Sequence, residues 1–335
     1  KPTLFNLASG SGPKAITAAP DNRIWFSESK ANLIGAIDVN GVIKTFAPTS
    51  ANSQPFGITD APDGNIWFTE TGTNKIGVMK TSGVMVKEIA VPTAAAGLGQ
   101  IVKGLNDTLW FVETAVGKIG RIDVASGTVT EISLAAGSRP QNIAVHQSTG
   151  DVWVTDVGRN QVLRINPATN SVDKEFDVPL SKSPNRIMFC STGDMYFTLH
   201  GSSKVGGINS SGTLGLYKLR KDDPDDAYRA HDLIEEANGL MWFVNTPNSA
   251  PMMTGASVTA ANTNAEVLSI TEAVLDANAV SLAPPVAVVG PAPATQNAGA
   301  GGCTTDPFGQ VDPTLPILFF GALIYLRRKS LVKLL

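Results

Sequence analysis

The sequence predicts an all-β fold built from six similar units of four strands each. One five-residue phrase recurs six times, with an aromatic residue in second place and, in four copies, a carboxylate in last place. The aromatic residues stand 42 to 46 residues apart, at Trp25, Trp67, Trp110, Trp153, Tyr196 and Trp242. A period in the low forties, with alternating apolar residues and turn residues between short strands, is typical of β-propellers and not of helical repeats. We therefore expect a six-bladed β-propeller.

The second unit shows how four strands follow one another. The predicted inner, second, third and outer strands are Gly57–Thr59, Ile66–Glu70, Lys75–Met79 and Val84–Val91. Asp-Gly and Ser-Gly pairs between them supply the positive φ that tight hairpins require. Glycine also recurs inside the third strand, where we expect the missing side chain to let neighbouring blades approach closely. These glycines are Gly35, Gly77, Gly120 and Gly206.

The two ends of the repeat array predict how the ring closes. Residues Thr3 to Ser9 match the outer-strand position of the other units, so they are expected to complete the last blade by strand pairing. Such pairing removes two exposed sheet edges. Residues Ala265 to Thr271 are the alternative occupant of that outer position, and the sequence leaves both open.

The composition changes after the repeats, which divides the chain into three parts. The propeller is predicted over residues 1–273, a tether rich in Ala, Pro and Gly over 274–311, and an apolar anchor with a basic cluster over 312–335. The tether carries no charge between Asp276 and the Gly-Gly-Cys motif that ends at Cys303. A segment of this composition does not bury a core, so an extended conformation is expected.

The anchor is predicted to cross a membrane as one short C-terminal helix. Its apolar run, Ile317 to Leu326, is shorter than the roughly 20 residues that a spanning helix needs, but counting from Pro313 and letting the terminal basic residues snorkel brings it nearer. A buried core helix is the alternative. The basic cluster after the run favours a cytoplasmic C-terminus. The propeller is therefore expected on the periplasmic side of a bacterial inner membrane, held by residues 313–335.

The tail resembles the JDVT-type C-terminal sorting signals of Gram-negative bacteria. The resemblance consists of Gly-Gly-Cys, a spacer, Asp-Pro-Thr-Leu-Pro, the apolar run and Arg-Arg. It implies processing by a dedicated intramembrane protease and, after processing, a place at the cell surface. The processing motif would comprise Cys303, Asp312, Pro313 and Thr314.

Several functional classes are excluded by what the sequence lacks. The formal net charge is −3 and no basic stripe occurs, so no nucleic-acid partner is expected. No Ser-His-Asp elbow, glycine-rich phosphate loop or Cys-x-x-Cys pair is present. Cys190 is predicted to be a small buried residue.

The second unit contains the motifs Gly-Ile-Thr, Asp-Gly-Asn-Ile-Trp-Phe-Thr-Glu and Asn-Lys-Ile-Gly-Val. With motifs of this form the repeat units resemble the virginiamycin B lyase (streptogramin lyase) family of six-bladed propellers, and their blade phrase is shared with NHL-like propellers. The resemblance implies elimination at the axial mouth by histidines just before two inner strands, with a bound Mg²⁺. Of the six equivalent positions here, Lys14, Phe56, Gly99, Gln141, Asn185 and His231, only the last is histidine. His231 is thus the candidate catalytic base, with a polar residue lining a solvated channel as the alternative.

Four carboxylates occupy one position in four successive units, namely Glu28, Glu70, Glu113 and Asp156. Equivalent positions lie on a circle in a propeller, so these acids are candidate ligands for Mg²⁺ or Ca²⁺. The alternative is that each caps its own loop. The acidic stretch Lys221 to Asp226 is a second, weaker Ca²⁺ candidate, with a solvated loop as its default interpretation.

These observations rank three functions. The first is a non-catalytic protein-binding or scaffolding module, exported and membrane-tethered, that needs no cofactor and has a periplasmic or membrane protein as partner. The second is a Mg-dependent carbon–oxygen lyase that opens a cyclic ester through His231. The third is a sensor for a cation or small ligand bound in the channel.

Overall fold

The computed structural model describes residues 5–179, 183–200, 202, 204–218, 228–235, 240–247, 266–271, 279–280, 317–318 and 323–324. Within these ranges the regular structure is β-strand and no helix of four or more residues occurs. The all-β prediction is confirmed.

The first four sheets each hold four antiparallel strands that pair in chain order. The first sheet comprises β1 (Pro13–Ala18), β2 (Ile24–Glu28), β3 (Leu33–Ile37) and β4 (Ile43–Phe46). The second comprises β5 (Pro55–Asp60), β6 (Asn65–Glu70), β7 (Lys75–Lys80) and β8 (Met85–Ala90). The third comprises β9 (Leu98–Lys103), β10 (Thr108–Glu113), β11 (Lys118–Asp123) and β12 (Val129–Ser133). The fourth comprises β13 (Pro140–Val145), β14 (Val152–Asp156), β15 (Gln161–Asn166) and β16 (Ser171–Asp177).

The later sheets continue this order with additions. The fifth begins with β17 (Pro184–Phe189), β18 (Met195–Leu199), β19 (Lys204–Ile208) and β20 (Leu214–Lys218). The sixth contains β21 (Tyr228–Glu235), β22 (Leu240–Pro247) and β23 (Glu266–Thr271). A short strand, β24 (Ala279–Val280), pairs with β20 and joins the fifth sheet, while β25 (Ile317–Leu318) and β26 (Leu323–Ile324) pair with each other.

The first strands bring the sheets together in succession. β1 contacts β5, β5 contacts β9, β9 contacts β13, β13 contacts β17, and β17 contacts β21. Five sheets with four consecutive antiparallel strands, joined through their first strands, form a propeller-like architecture.

The repeated aromatic pair explains why the sheets stack. Successive side chains of a strand point to opposite faces, so the tryptophan and the following phenylalanine contact different neighbours. Trp25 packs in one buried cluster with Phe68 of the next sheet, and Trp67 packs with Phe111 in the cluster after it. The second strands β6, β10 and β14 are therefore buried on both faces, and each belongs to two cores.

The third-strand glycines make room for a phenylalanine of their own sheet. Each is the cross-strand partner of the repeat phenylalanine, in the pairs Phe26–Gly35, Phe68–Gly77, Phe111–Gly120 and Phe197–Gly206. A Cβ at Gly120 would lie 1.9 Å from the Phe111 ring. The expectation that neighbouring blades approach at these glycines is wrong, because the aromatic ring of the same sheet fills the space.

The two segments that were predicted to complete the last blade differ in structure. β23 lies directly beside β22, so residues 266–271 take the third place of the sixth sheet. Residues 5–9 have no strand assignment. Phe5 nevertheless lies against Gly41 in the β3–β4 turn, just as Phe46 lies against Gly83 in the β7–β8 turn of the following sheet. Relative to the first sheet, Phe5 occupies the place of an outer-strand residue.

The predicted C-terminal helix is not confirmed. Of residues 313–335 the structure describes only the β25–β26 pair, which is extended and rich in isoleucine and leucine. Over the described ranges no helix is long and apolar enough to span a bilayer. The processing residues Cys303, Asp312, Pro313 and Thr314, and the acidic stretch 221–226, lie outside those ranges.

Candidate functional site

Every first strand carries a β-bulge at the same place. In all six sheets the pairing between first and second strands shifts just after the residue opposite the last position of the five-residue phrase. The residues at this point are Lys14, Phe56, Gly99, Gln141, Asn185 and His231. A bulge re-aims a side chain out of the sheet alternation. We call these six residues the bulge ring. The end of the sheets at which they lie, where the first strands begin, is called the mouth face.

Hydroxyl groups of the repeat phrase hold the bulges in place. Thr69 Oγ1 accepts the Gly57 N–H at 2.8 Å and donates to the Gly99 carbonyl of the next sheet at 2.8 Å. Ser27 and Thr155 make the same bridge to the sheets that follow them. Sequence reasoning missed this role, although Ser or Thr in fourth place of the phrase was the available signal.

Asparagines fix the loops of the mouth face. Asn32, Asn74 and Asn160 have φ of 57°, 58° and 56°, a left-handed conformation that asparagine tolerates better than most residues. Asn74 Oδ1 accepts the Ala96 N–H at 2.9 Å, while its Nδ2 donates to the Thr93 carbonyl at 2.9 Å. The loop after each of these second strands is thereby tied to the connection leading to the next sheet. The mouth face is preorganised by the fold.

Side chains of the bulge ring make contacts both between sheets and within one sheet. The Lys14 ammonium lies 5.8 Å from the centroid of the Phe56 ring, within the range of a cation–π interaction. Asn185 Nδ2 lies 3.4 Å from Nδ1 of His200, which follows β18 on the same face. These side chains are half-buried. Sequence reasoning did not place His200 at the mouth, because its proximity to Asn185 depends on the register shift after Pro184.

His231 lies in β21 at the sixth bulge. Its neighbour Asp232 is buried, and the Oδ1 atom of Asp232 accepts a hydrogen bond from Arg186 Nε of the fifth sheet at 2.8 Å. This carboxylate therefore joins the fifth and sixth first strands. The second histidine position expected from the family resemblance carries Asn185.

The four repeated carboxylates are buried, each at 2% exposure or less. Asp156 Oδ1 accepts backbone N–H bonds from Arg139, Gly158 and Arg159, so this carboxylate caps its own loop. Glu70 accepts a hydrogen bond from the Thr73 hydroxyl at 2.6 Å. Neither carboxylate oxygen of Glu113 has a hydrogen-bond partner.

Burial raises the pKa of three of these acids. Desolvation raises the pKa of Glu28 and of Glu70 above the usual range. It raises the pKa of Glu113 to about 7, helped by the negative charge of Glu131 and opposed by Lys118. Burial of this kind disfavours the charged form of a carboxyl group, which is the form that binds a cation.

The four acids do not converge on a metal site. Over the described residues no group of three or more His, Cys, Asp or Glu side chains is placed to hold a metal ion. The predicted cation arc of Glu28, Glu70, Glu113 and Asp156 thus gains no support, because each acid is enclosed within its own sheet and loop. Cys190 is buried, as predicted.

Comparison with known proteins agrees with this architecture. The model of the virginiamycin B lyase family matches residues 1–252. A catalytically inactive virginiamycin B lyase from Staphylococcus aureus, solved with quinupristin, is 28% identical, with a TM-score of 0.65 over 71% of this chain and 78% of that one. A streptogramin B lyase structure is also 28% identical, with a TM-score of 0.67 over 81% and 87% of the two chains.

One more distant structure shares the fold alone. Hydrazine synthase from Kuenenia stuttgartiensis is 15% identical, with a TM-score of 0.61 over 72% of this chain and 77% of that one. A search of curated proteins finds no match. Since the family model matches residues 1–252 of the 335, the chain belongs to the virginiamycin B lyase family.

Proposed function

We propose that this family member is a non-catalytic binding module that takes a protein partner at its mouth face. The observation that carries the proposal is the chemistry of the bulge ring, whose first five residues are Lys14, Phe56, Gly99, Gln141 and Asn185. This set offers a cation, an aromatic ring and two amides on a preorganised face, which suits recognition of polar and aromatic groups of a protein surface. The repeated carboxylates are enclosed in the sheets and take no part.

The module acts, in this proposal, as a closed six-bladed ring on the periplasmic side of the inner membrane. Closure by the N-terminal segment is supported by the contact of Phe5 with Gly41, which repeats the contact of Phe46 with Gly83. Tethering through residues 313–335 is supported by the uncharged linker and by the basic cluster after the apolar run. The partner is a periplasmic or membrane protein.

The proposal is tested by affinity purification of tagged protein from native membranes in mild detergent. A stoichiometric partner should accompany the wild type and the Lys44→Glu variant, which adds the same charge change on an exposed outer strand. The double variant Lys14→Glu, Phe56→Ala should lose that partner. A partner retained by the double variant contradicts binding at the mouth. A chain ending at Gly302 tests the tether separately, because it should leave the membrane fraction.

A lyase of the family type is the second candidate. It is favoured by His231 at the sixth bulge, by His200 beside Asn185, and by the similarity to lyases that include one solved with quinupristin. The described residues do not supply a metal site that would fit the Mg²⁺ of the family. An imidazole acting as proton acceptor at the mouth is the part of such chemistry that this chain retains.

Incubation with quinupristin, with and without added Mg²⁺, separates the two candidates. Ring opening by elimination leaves the mass unchanged, so the product is followed by chromatography and fragmentation. The binding-module proposal expects no conversion. Turnover that is lost in His231→Ala and kept in His146→Ala, a histidine beside Phe189 and away from the bulge ring, would overturn it in favour of the lyase.

A further inference from the structure

The outer edge of the fifth sheet carries an additional strand from beyond the repeats. β24 pairs antiparallel with β20, with Leu216 opposite Val280 and Tyr217 opposite Ala279. Among the described fourth strands, those of the other four complete sheets have no such partner. The segment that the sequence assigns to a free tether thus contacts the ring at a defined edge.

The sequence of β20 explains why this edge accepts a strand. Outer strands commonly resist further pairing by carrying charges along their length. The other outer strands do so, through Lys44 in β4, Lys87 and Glu88 in β8, Glu131 in β12, and Asp173, Lys174 and Glu175 in β16. β20 reads Leu-Gly-Leu-Tyr-Lys, so its single charge stands at the last residue. The outward backbone groups of β20 pair with an uncharged, extended segment.

The pairing also gives the added strand a direction. In the fifth sheet, β17 begins at the mouth face with Pro184 and β18 ends there with Leu199. Consecutive strands are antiparallel, so β19 runs away from the mouth face. β20 therefore runs toward the mouth face and ends at Lys218, opposite Lys204. Because β24 is antiparallel to β20, the chain at Val280 runs away from the mouth face.

We propose that the segment at Ala279–Val280 docks on β20 of its own chain and directs the C-terminal region away from the mouth face. The occupant is this chain's own segment, held by strand addition to β20, the one described fourth strand with an uncharged interior. Docking itself stands on the strand pairing. The consequence that a tethered ring turns its mouth away from its attachment rests on the proposed function.

Disulfide trapping tests the docking in the full-length chain. Residues directly opposite in an antiparallel pair bring their Cβ atoms within the range of a disulfide. In a Cys303→Ser background, Tyr217→Cys with Ala279→Cys should give an intramolecular cross-link in the monomer under mild oxidation. Thr130→Cys with Ala279→Cys, which uses the outer edge of the third sheet, should give none. Absence of the first cross-link, or its appearance only in dimers, overturns docking within one chain.

Hydrogen exchange provides a measurement without cysteines. Val280→Pro removes a backbone N–H and disfavours pairing, whereas Val280→Ala retains it. Loss of amide protection in residues 214–218 is expected for the proline variant alone, with residues 171–177 of β16 unchanged as the reference edge. Equal protection in both variants overturns the proposal. Neither experiment depends on a partner at the mouth, so a failure of docking is distinguishable from a failure of mouth binding.

Discussion

Residues that share one repeat position differ in their hydrogen bonding. Asp156 and Glu113 both end a second strand and both are buried. Asp156 acts as a hydrogen-bond acceptor, since its Oδ1 atom accepts three backbone N–H bonds. Glu113 has no hydrogen-bond donor, so burial favours its neutral form. The carboxylate at this repeat position therefore caps a loop in the fourth sheet and lacks a hydrogen-bond partner in the third.

The Glu113→Gln variant should therefore change the pH dependence of stability. The pKa of Glu113 is about 7 in the folded chain, against its usual value of 4.5, so the folded state keeps a proton that the unfolded state has lost. Wild-type stability should fall as pH rises from 4.5 to 7, by roughly 3 kcal/mol at most. The variant lacks this loss and should be the more stable protein at pH 8, as measured by chemical denaturation.

Asp156→Asn is the matched control for that measurement. It removes the charge from the loop cap and should destabilise the protein at pH 8 by about 1–3 kcal/mol. If Glu113→Gln and the wild type lose stability in parallel between pH 5 and 8, burial of Glu113 does not have the assigned effect.

At the level of strands, the glycine of the third strand and the phenylalanine of the second should behave as a coupled pair. Gly120→Ala introduces a Cβ where the Phe111 ring lies, and overpacking of this kind costs about 1–3 kcal/mol. In a Phe111→Ala background the same substitution should cost little. A double-mutant cycle by denaturant unfolding measures the coupling. Additive effects of the two substitutions would contradict the contact.

The hydroxyl bridges between sheets give a second test at this level. Thr69→Val keeps the side-chain shape but leaves the Gly57 N–H and the Gly99 carbonyl without their partner. The expected cost is about 1–3 kcal/mol, seen as a lower unfolding midpoint. Thr45→Val, the same change at an exposed place in β4, should stay within about 0.5 kcal/mol of wild type. Similar effects at both positions would argue against the bridge.

The strands themselves were predictable because their signal is local. In the second unit the predicted strands Ile66–Glu70 and Lys75–Met79 agree with β6 and β7 to within one residue at each end. The bulges, the bridge made by Thr69 and the neutral Glu113 were not predictable in this way. Each depends on register or on desolvation by a neighbouring sheet, which a single sequence does not display.

For the whole molecule, the contact of Phe5 with the first sheet predicts that the N-terminus contributes to global stability. Phe5→Ala should lower the free energy of unfolding by about 2 kcal/mol, below the range for a fully buried phenylalanine because Phe5 is half-buried. Val84→Ala, at a side chain that is 59% exposed, serves as control and should have a small effect. Equal melting temperatures for wild type and Phe5→Ala would mean that the first residues do not help to hold the ring.

At the six bulges, the backbone and the side chain depend on different contacts. The bulge backbones in several sheets are held by hydroxyls of neighbouring strands, without help from the bulge side chains. Lysine, phenylalanine, glycine, glutamine, asparagine and histidine all stand at this one position in a single chain. Because these hydrogen bonds involve only backbone groups of the bulge, the fold requires little of the side chain there, except at Gly99, where a Cβ would lie 2.7 Å from Val112 Cγ2.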